Sequence, residues 1–451
     1  MTSRIPIDDG IRTGRYGWAV NAPGCASGLL TDKYELTMLA AALRDGSAHR
    51  PATFELFARR LPAGRRYGVV AGTGRWLAAL TGFGFDDAAL RVLAEFLDPA
   101  TLDYLQGFRF AGDVDGYPEG ELYFPGSPVL SVRGSFAECV VLETLTLSIF
   151  NHDTAIASAA ARMVSAAAGR SLIEMGSRRT HEQAAVAAAR AAYLAGFTAT
   201  SNLEAHRRHG IPVAGTSAHA FTLLHADAGG PDEQAAFRAQ VAAQGVGTTL
   251  LVDTYDVTAG VANAVAVAGP GLGAVRIDSG ELGVLARQVR SQLDGLGATR
   301  TAIVVSGDLD EFAIAALAAA PVDSYGVGTA LVTGSGAPTA DFVYKLVEVD
   351  GVAVHKRSTN KTSRGGRKQA LRLARPSGTV VEEVVYPAGR APDEPGRALS
   401  VPLVRGGHAV VDTGASGLAV ARERVAAGLH SLPWEGLKLA HGEPAIPTRQ
   451  M

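Results

Sequence analysis

The chain has 451 residues, more than one compact core usually holds, so two domains or a barrel with additions are expected. A 47% apolar share supports a large buried core, while a formal charge of -2 offers no field that would draw nucleic acid or an anionic membrane surface. Two isolated cysteines, Cys25 and Cys139, exclude a disulfide framework and a cysteine-rich zinc element, and no run has the length of a signal core or bilayer span, so a soluble protein of a reducing cytoplasm is expected.

Residues 1–28 are rich in Gly and Arg without periodicity and read as a loose leader. Tyr34, Met38, Ala41 and Ala42 recur at helical spacing after the cap candidates Thr31 and Asp32, which predicts an amphipathic helix over 29–45. Strands are predicted over 53–58, 107–110 and 129–133, separated by turn signals such as Asp115-Gly116 and Pro125-Gly126. The portion 29–150 is therefore mixed and partly antiparallel. A long helix is predicted over 138–170. From Ser171 to about Thr333 strand and helix signals alternate, the βα rhythm of a parallel barrel or doubly wound sheet, and 151–340 reads as an α/β barrel. In 341–451 a hairpin about Asp350-Gly351 joins 343–349 to 352–354. A basic loop follows over 356–372, and 417–428 reads as a helix.

Seven apolar runs in the middle third end in polar tails: Met175-Gly-Ser-Arg-Arg-Thr-His181, Thr200-Ser-Asn202, Gly215-Thr-Ser-Ala-His219, Val252-Asp-Thr-Tyr-Asp256, Arg276-Ile-Asp-Ser-Gly280, Ser306-Gly-Asp-Leu-Asp310 and Tyr325-Gly-Val-Gly-Thr329. Barrel enzymes place their chemistry on such strand ends, which converge on one face. Gly326-Val-Gly-Thr329 offers backbone N–H groups and a hydroxyl for a phosphate monoester, and also fits a plain turn. Alternation puts Arg276 and Asp278 on one side of a strand, where they serve an anionic substrate and a sugar hydroxyl or form an internal salt bridge. Asp253, Asp256, Asp308 and Asp310 add carboxylates, of which helix caps explain one or two.

His219 is either a packed, hydrogen-bonded residue or a nucleophile towards phosphoryl groups. Arg178 and Arg179 can grip phosphate in two-point fashion or form a solvated cluster. Tyr34 fits the core face of its helix. Lys356, Arg357, Lys361, Arg364, Arg367 and Lys368, around Gly365-Gly366, suit a solvated loop or a lid over polyphosphate.

Taken in order, Leu30-Thr-Asp-Lys-Tyr-Glu-Leu-Thr-Met38, Phe54-Glu-Leu-Phe57, Arg65-Arg-Tyr-Gly-Val-Val-Ala-Gly72, the strand-end motifs and the basic region to Arg372 resemble the nicotinate phosphoribosyltransferase family. Departures such as Ala220-Phe221 and Arg364 remove no matched residue. The resemblance implies an irregular α/β barrel plus an α/β (α+β) domain, the C-terminal 341–451 returning to the N-terminal 29–150. It implies a homodimer with sites near the interface. The implied reaction makes nicotinate mononucleotide and diphosphate from nicotinate and 5-phosphoribosyl 1-diphosphate, with coupled ATP hydrolysis through a phosphohistidine at His219. Tyr34, Thr216 and Arg276 look like the nicotinate contacts, Tyr34 stacking on the pyridine ring, from the partner subunit in one version. Gly328 and Thr329 would hold the 5-phosphate, Arg178, Arg179 and Ser306 would join the phosphoribosyl diphosphate site, and Asp278 would orient ribose hydroxyls or Mg²⁺-bound water. Mg²⁺ would arrive on substrate oxygens rather than in a protein cage. Nicotinamide and quinolinate phosphoribosyltransferases, and a catalytically silent ligand-binding relative, are the alternatives.

Overall fold

The computed structural model describes residues 27–356 and 364–451. Its centre is a six-stranded, all-parallel sheet in the order Thr249–Leu251, Ala274–Ile277, Ala302–Val305, Ser324–Val327, Ser171–Glu174, Ala199–Thr200. A parallel bridge from Thr200 to Val213 adds one further rung. Among the described residues no ladder joins Val213 back to Thr249–Leu251, so the arc stays open in its backbone hydrogen bonds.

Apolar β-branched runs form these strands because helices cover the sheet, so that a strand such as Ala302–Val305 loses the half-polar alternation of a solvated sheet. Val275, Ile277, Ile303 and Val305 are fully buried, each contributing roughly 1.5–3 kcal/mol of transfer free energy. The helices Glu143–Ala167 and Glu182–Ala195 present alanines to one another, among them Ala160, Ala161, Ala188 and Ala192, and small side chains let the two backbones approach closely.

A second sheet is antiparallel, in the order Val352–Ala353, Phe342–Val349, Pro51–Ala58, Leu130–Ser135, Asp113–Gly116, Val401–Arg405, His408–Ala409. Three strands from before residue 136 thus form the middle of this sheet, flanked on both sides by strands from after residue 341. A third sheet orders Arg397–Ala398, Lys368–Ala374, Val380–Pro387 and Thr448–Gln450. The hairpin turn lies where expected, with Asp350 and Gly351 both left-handed at φ 51° and 75°. Among the described residues no helix is long and apolar enough to cross a membrane.

Several local expectations change. The first helix is Lys33–Asp45, and its buried face is Glu35, Leu36, Leu39 and Ala42. Tyr34 and Met38, read as core, are 45% and 39% exposed. The helical period was right, but the face is rotated by a residue because Glu35 is drawn inward by Thr31 and Thr144. The run 107–110 is coil rather than strand: Phe108 follows the helix Pro99–Gln106 and packs edge-on against Phe83 and Phe85. The helix expected over 138–170 is two, Phe136–Val140 behind a Ser135/Glu138 capping box and Glu143–Ala167. The division expected at residue 150 falls inside the latter.

Pro51–Ala58 does not alternate. It is an inner strand buried on both faces, where the carboxylate of Glu55 meets Lys368 Nζ at 2.8 Å. Arg372 is no loop residue: it sits in Lys368–Ala374, donating to Glu121 Oε1 at 2.7 Å and to Glu383. Arg357 and Lys361 of the basic loop, and the leader up to residue 26, lie outside the described residues. Gly28, expected in the leader, donates its N–H to Gly84 O at 2.9 Å.

Candidate active site

Register decides where the polar tails emerge. Leu251 pairs with Arg276, Ile277 with Val305, Val305 with Tyr325, Val327 with Glu174 and Glu174 with Thr200, so the strands finish side by side. In-register parallel pairing puts the following residues on one rim.

That rim is stitched laterally. Asp253 Oδ2 accepts the backbone N–H of Asp278 at 2.8 Å and the Ser279 hydroxyl at 2.9 Å. Ser306, 4% exposed, donates its hydroxyl to Asp278 Oδ1. Gly307 lies so close to Asp278 O that an added Cβ would stand 2.2 Å from it, and its φ of 109° disfavours a side chain as well. Met175 donates its N–H to Val327 O at 2.8 Å, and Arg179 Cγ lies 4.0 Å from the Cβ direction of Gly328. Glu174 Oε2 accepts the Thr200 hydroxyl and Oε1 the Gly176 N–H, and burial raises its carboxyl above the ordinary glutamate range. Asn202 caps the next helix through Ala205 N and donates to Ser177 Oγ at 3.0 Å.

His219 is the first residue of the helix His219–Leu223 and is 40% exposed. Its Nδ1 meets Thr254 Oγ1 at 3.1 Å, while Nε2 faces Asp253 Oδ1 at 3.9 Å and Asp278 Oδ2 at 4.0 Å. The separations exceed a hydrogen bond and leave an imidazole poised between two carboxylates. Asp253 is 2% exposed, and among the described residues its Oδ1 has no hydrogen-bond donor. The Arg276 Nε is likewise buried without a partner, and among the described residues no carboxylate lies within 4.0 Å of its guanidinium. An internal salt bridge for Arg276 is thereby corrected. Unsatisfied buried groups are costly in a finished core, and these two lie on neighbouring strand ends of the rim.

The structure does not bring all the expected residues together. Arg276, Asp278, Ser306 and His219 are brought together directly by hydrogen bonds, close approach or adjacent strand ends. Gly328 and exposed Thr329 open the short helix Thr329–Val332 beside Arg179, while exposed Arg178 precedes Arg179 in the same turn. Thr216 lies three residues before His219, half-buried after Gly215. Tyr34 stands apart, in the other part of the fold: Glu143, Glu35 and Asp32 are its neighbours, and burial followed by these carboxylates pushes its phenol up to about 12. Asp256 and Asp310 are helix caps, through Ala259 N and through Phe312 and Ala313 N. Asp253 and Thr254 were underweighted from sequence, although Val252-Asp-Thr displayed them directly after a buried run.

The segment 29–151 matches the family model of the nicotinate phosphoribosyltransferase (NAPRTase) N-terminal domain. Nicotinate phosphoribosyltransferase pncB1 of Mycobacterium tuberculosis (strain ATCC 25618 / H37Rv) is 76% identical over 428 residues, covering 94% of this chain and 95% of that protein. The chain belongs to the nicotinate phosphoribosyltransferase family. The human nicotinate phosphoribosyltransferase is 33% identical over 446 residues, covering 84% of this chain and 83% of its own. The crystal structure of human nicotinic acid phosphoribosyltransferase superimposes with a TM-score of 0.78 at 28% identity, covering 93% and 97% of the two chains. That of nicotinate-nucleotide pyrophosphorylase from Pyrococcus furiosus gives 0.77 at 25% identity, covering 93% and 99%. As a nicotinate phosphoribosyltransferase family member the chain is an enzyme, a pentosyltransferase of NAD biosynthesis.

Proposed function

We propose that this family member joins nicotinate to 5-phosphoribosyl 1-diphosphate and couples the reaction to ATP hydrolysis through His219. The supporting observation is the grouping of His219 Nε2, Asp253 and Asp278 within 4.0 Å at the barrel rim that also carries Arg276, whose buried Nε has no partner among the described residues. In the transfer, the pyridine nitrogen supplies the electron pair for the new bond to ribose C1, and the C1–O bond to diphosphate breaks with its electrons. Positive charge develops on the ribose, so positioning and charge stabilisation dominate the barrier.

Arg276 answers the nicotinate carboxylate in two-point fashion, a partner that nicotinamide does not carry. Thr216 and Tyr34 complete the pyridine site, Tyr34 coming from the partner subunit of a homodimer. Gly328, Thr329 and Arg179 hold the 5-phosphate, and Arg178 the diphosphate. Asp278, fixed by Ser306 and by Asp253, orients the ribose hydroxyls. Mg²⁺ carried in by diphosphate would neutralise departing charge, and Asp253 Oδ1 and Asp278 Oδ2 are acceptors suited to its water shell.

With Nδ1 held by Thr254, Nε2 is the nitrogen that takes the terminal phosphoryl group of ATP, releasing ADP; water later returns it as phosphate. The phosphoryl charge beside the site would order nearby loops and so tie ATP to substrate affinity. The reaction is placed in the cytoplasm.

Product formation from both substrates with Mg²⁺, measured with and without ATP and with nicotinamide in place of nicotinate, tests this reading. Labelled ATP is expected to leave acid-labile, base-stable label on the protein. Label that survives His219→Asn overturns the phosphohistidine, and absence of any product revives a silent relative. Carbon dioxide release from quinolinate, indifferent to ATP, would transfer the site to that chemistry.

A further inference from the structure

Next to the phosphate turn lies a buried charge cluster that the transfer chemistry does not use. Glu311 opens the helix Glu311–Ala316 immediately after the strand-end loop that carries Ser306. Its Oε1 accepts Arg162 Nε at 3.0 Å and Arg65 Nη1 at 3.3 Å, and its Oε2 accepts the Ser335 hydroxyl. Arg65, Arg162 and Glu311 side chains are 5%, 5% and 2% exposed. Arg65 also donates to Gly334 O at 2.5 Å, and Arg162 to Gly64 O at 2.8 Å and Leu439 O at 3.0 Å. Burial pushes the Glu311 carboxyl up, but the Ser335 hydroxyl, the helix N–H and Arg162 outweigh it and hold it below the ordinary range.

Gly334 and Ser335 form the turn that ends the short helix begun at Thr329. Gly334 N donates to Leu331 O at 3.0 Å and Ser335 N to Ala330 O at 2.6 Å. Ser335 holds φ at 50°, a conformation uncommon for a residue with a side chain, and one that persists only when its surroundings over-determine it. The hydrogen bond to Glu311 and the Arg65 bond next door supply that determination. One carboxylate therefore links the loop that carries Ser306 to the turn that carries Thr329, with arginines from two other chain segments holding it from behind.

We propose that Arg65, Arg162 and Glu311 form a buried positioning cluster that sets the turn 328–335 against the Ser306 loop, and through it the affinity for the phosphoribosyl substrate. The proposal rests on the assignment of Gly328 and Thr329 to the 5-phosphate. A buried ion pair is poor evidence for stability, because desolvation consumes much of its Coulomb energy; its better-attested use is to specify one arrangement. Replacing Glu311 leaves two buried cations and threatens the fold, so Ser335 is the better probe.

Steady-state kinetics of Ser335→Gly and Ser335→Asn, beside Thr329→Ala, test it. Ser335→Gly suits the left-handed backbone and loses only the hydroxyl, so its KM for 5-phosphoribosyl 1-diphosphate is expected to rise roughly tenfold, the value of one hydrogen bond to a charged group. Its kcat and nicotinate KM should stay within about twofold, and Ser335→Asn, which tolerates the same backbone and keeps a donor, should restore most of the affinity. An unchanged KM in Ser335→Gly, with a raised one in Thr329→Ala, overturns the positioning role. Uniform loss of kcat and both KM values with a lowered Tm also overturns it, as plain destabilisation. If Thr329→Ala too leaves the KM unchanged, the phosphate assignment is at fault and the proposal falls with it.

Discussion

Asp253 accepts the backbone N–H of Asp278 at 2.8 Å through one carboxylate oxygen and turns the other, without a donor, towards His219 Nε2. One buried side chain thus fixes the neighbouring strand end and also sets the charge beside the imidazole. Its near-complete burial makes that charge effective, since little solvent screens it.

Asp253→Asn keeps the shape and removes the charge. Phosphoryl transfer from ATP to His219 is expected to slow roughly 100-fold, the loss of one electrostatic contact to the water shell of the Mg²⁺-bound phosphates. Rapid-quench counting of acid-labile label on the protein measures it. Labelling at the parent rate would show that Asp253 acts only on the strand end.

Among the described residues the buried Arg276 Nε has no hydrogen-bond partner and no carboxylate pairs with the guanidinium. Arg276→Gln should raise the KM for nicotinate about 10- to 100-fold, the loss of a charge-assisted two-point contact. Nicotinamide, which lacks the carboxylate, should lose far less, and the ratio of the two KM values is the readout. A rise in the KM for 5-phosphoribosyl 1-diphosphate instead would make phosphate its true partner.

Tyr34 is 45% exposed and lies near Glu143 rather than at any strand end, and it is proposed to act across a subunit boundary. Tyr34→Ala and His219→Asn proteins, each impaired alone, should then complement when mixed and reassociated. In a random two-fold dimer about one quarter of sites would regain both groups. No recovery, with mixed dimers confirmed by mass, places Tyr34 in its own subunit's site or outside it.

His209, at the end of the helix Leu203–His209, is depressed from its ordinary 6.5 to about 4 by burial and then by the Arg190, Arg208 and Arg75 cations. A depressed folded pKa means that the neutral ring is favoured in the native state, so its contribution is complete above pH 6.5 and is lost as pH falls towards 4. The size is roughly 1–3 kcal/mol once solvent screening is allowed for. Denaturant titrations across that window should show a slope that His209→Asn flattens; an identical slope in both would assign the acid sensitivity elsewhere.

Much of the site was legible because strand ends advertise themselves. A β-branched apolar run stops where the chain leaves the covered sheet, and the next residues must be polar or small. The strand-end positions of Arg276, Asp278, Ser306 and Gly328 were read this way. Asp253 was seen and not ranked, because nothing local separates it from the helix caps Asp256 and Asp310. The face of the first helix was misjudged because a buried glutamate, satisfied by two threonines, looks in sequence like a surface residue. Arg372 and Lys368 looked like loop cations for the converse reason: their carboxylate partners Glu121, Glu383 and Glu55 lie far away in the chain or across a strand pair.

By itself the sequence determined the βα alternation, the order of the polar tails and the family they resemble, since these follow from local periodicity and from motifs of a few residues. Only the tertiary structure decided which side chains meet. The in-register ladder carries six tails to one rim, with the Thr200–Val213 bridge leading to the seventh; among the described residues it leaves Arg276 and Asp253 with unpaired buried atoms, and the packing places Arg65 and Arg162 against Glu311 across 246 and 149 residues of chain. Contacts of that span depend on packing and register, which no window of neighbouring residues encodes.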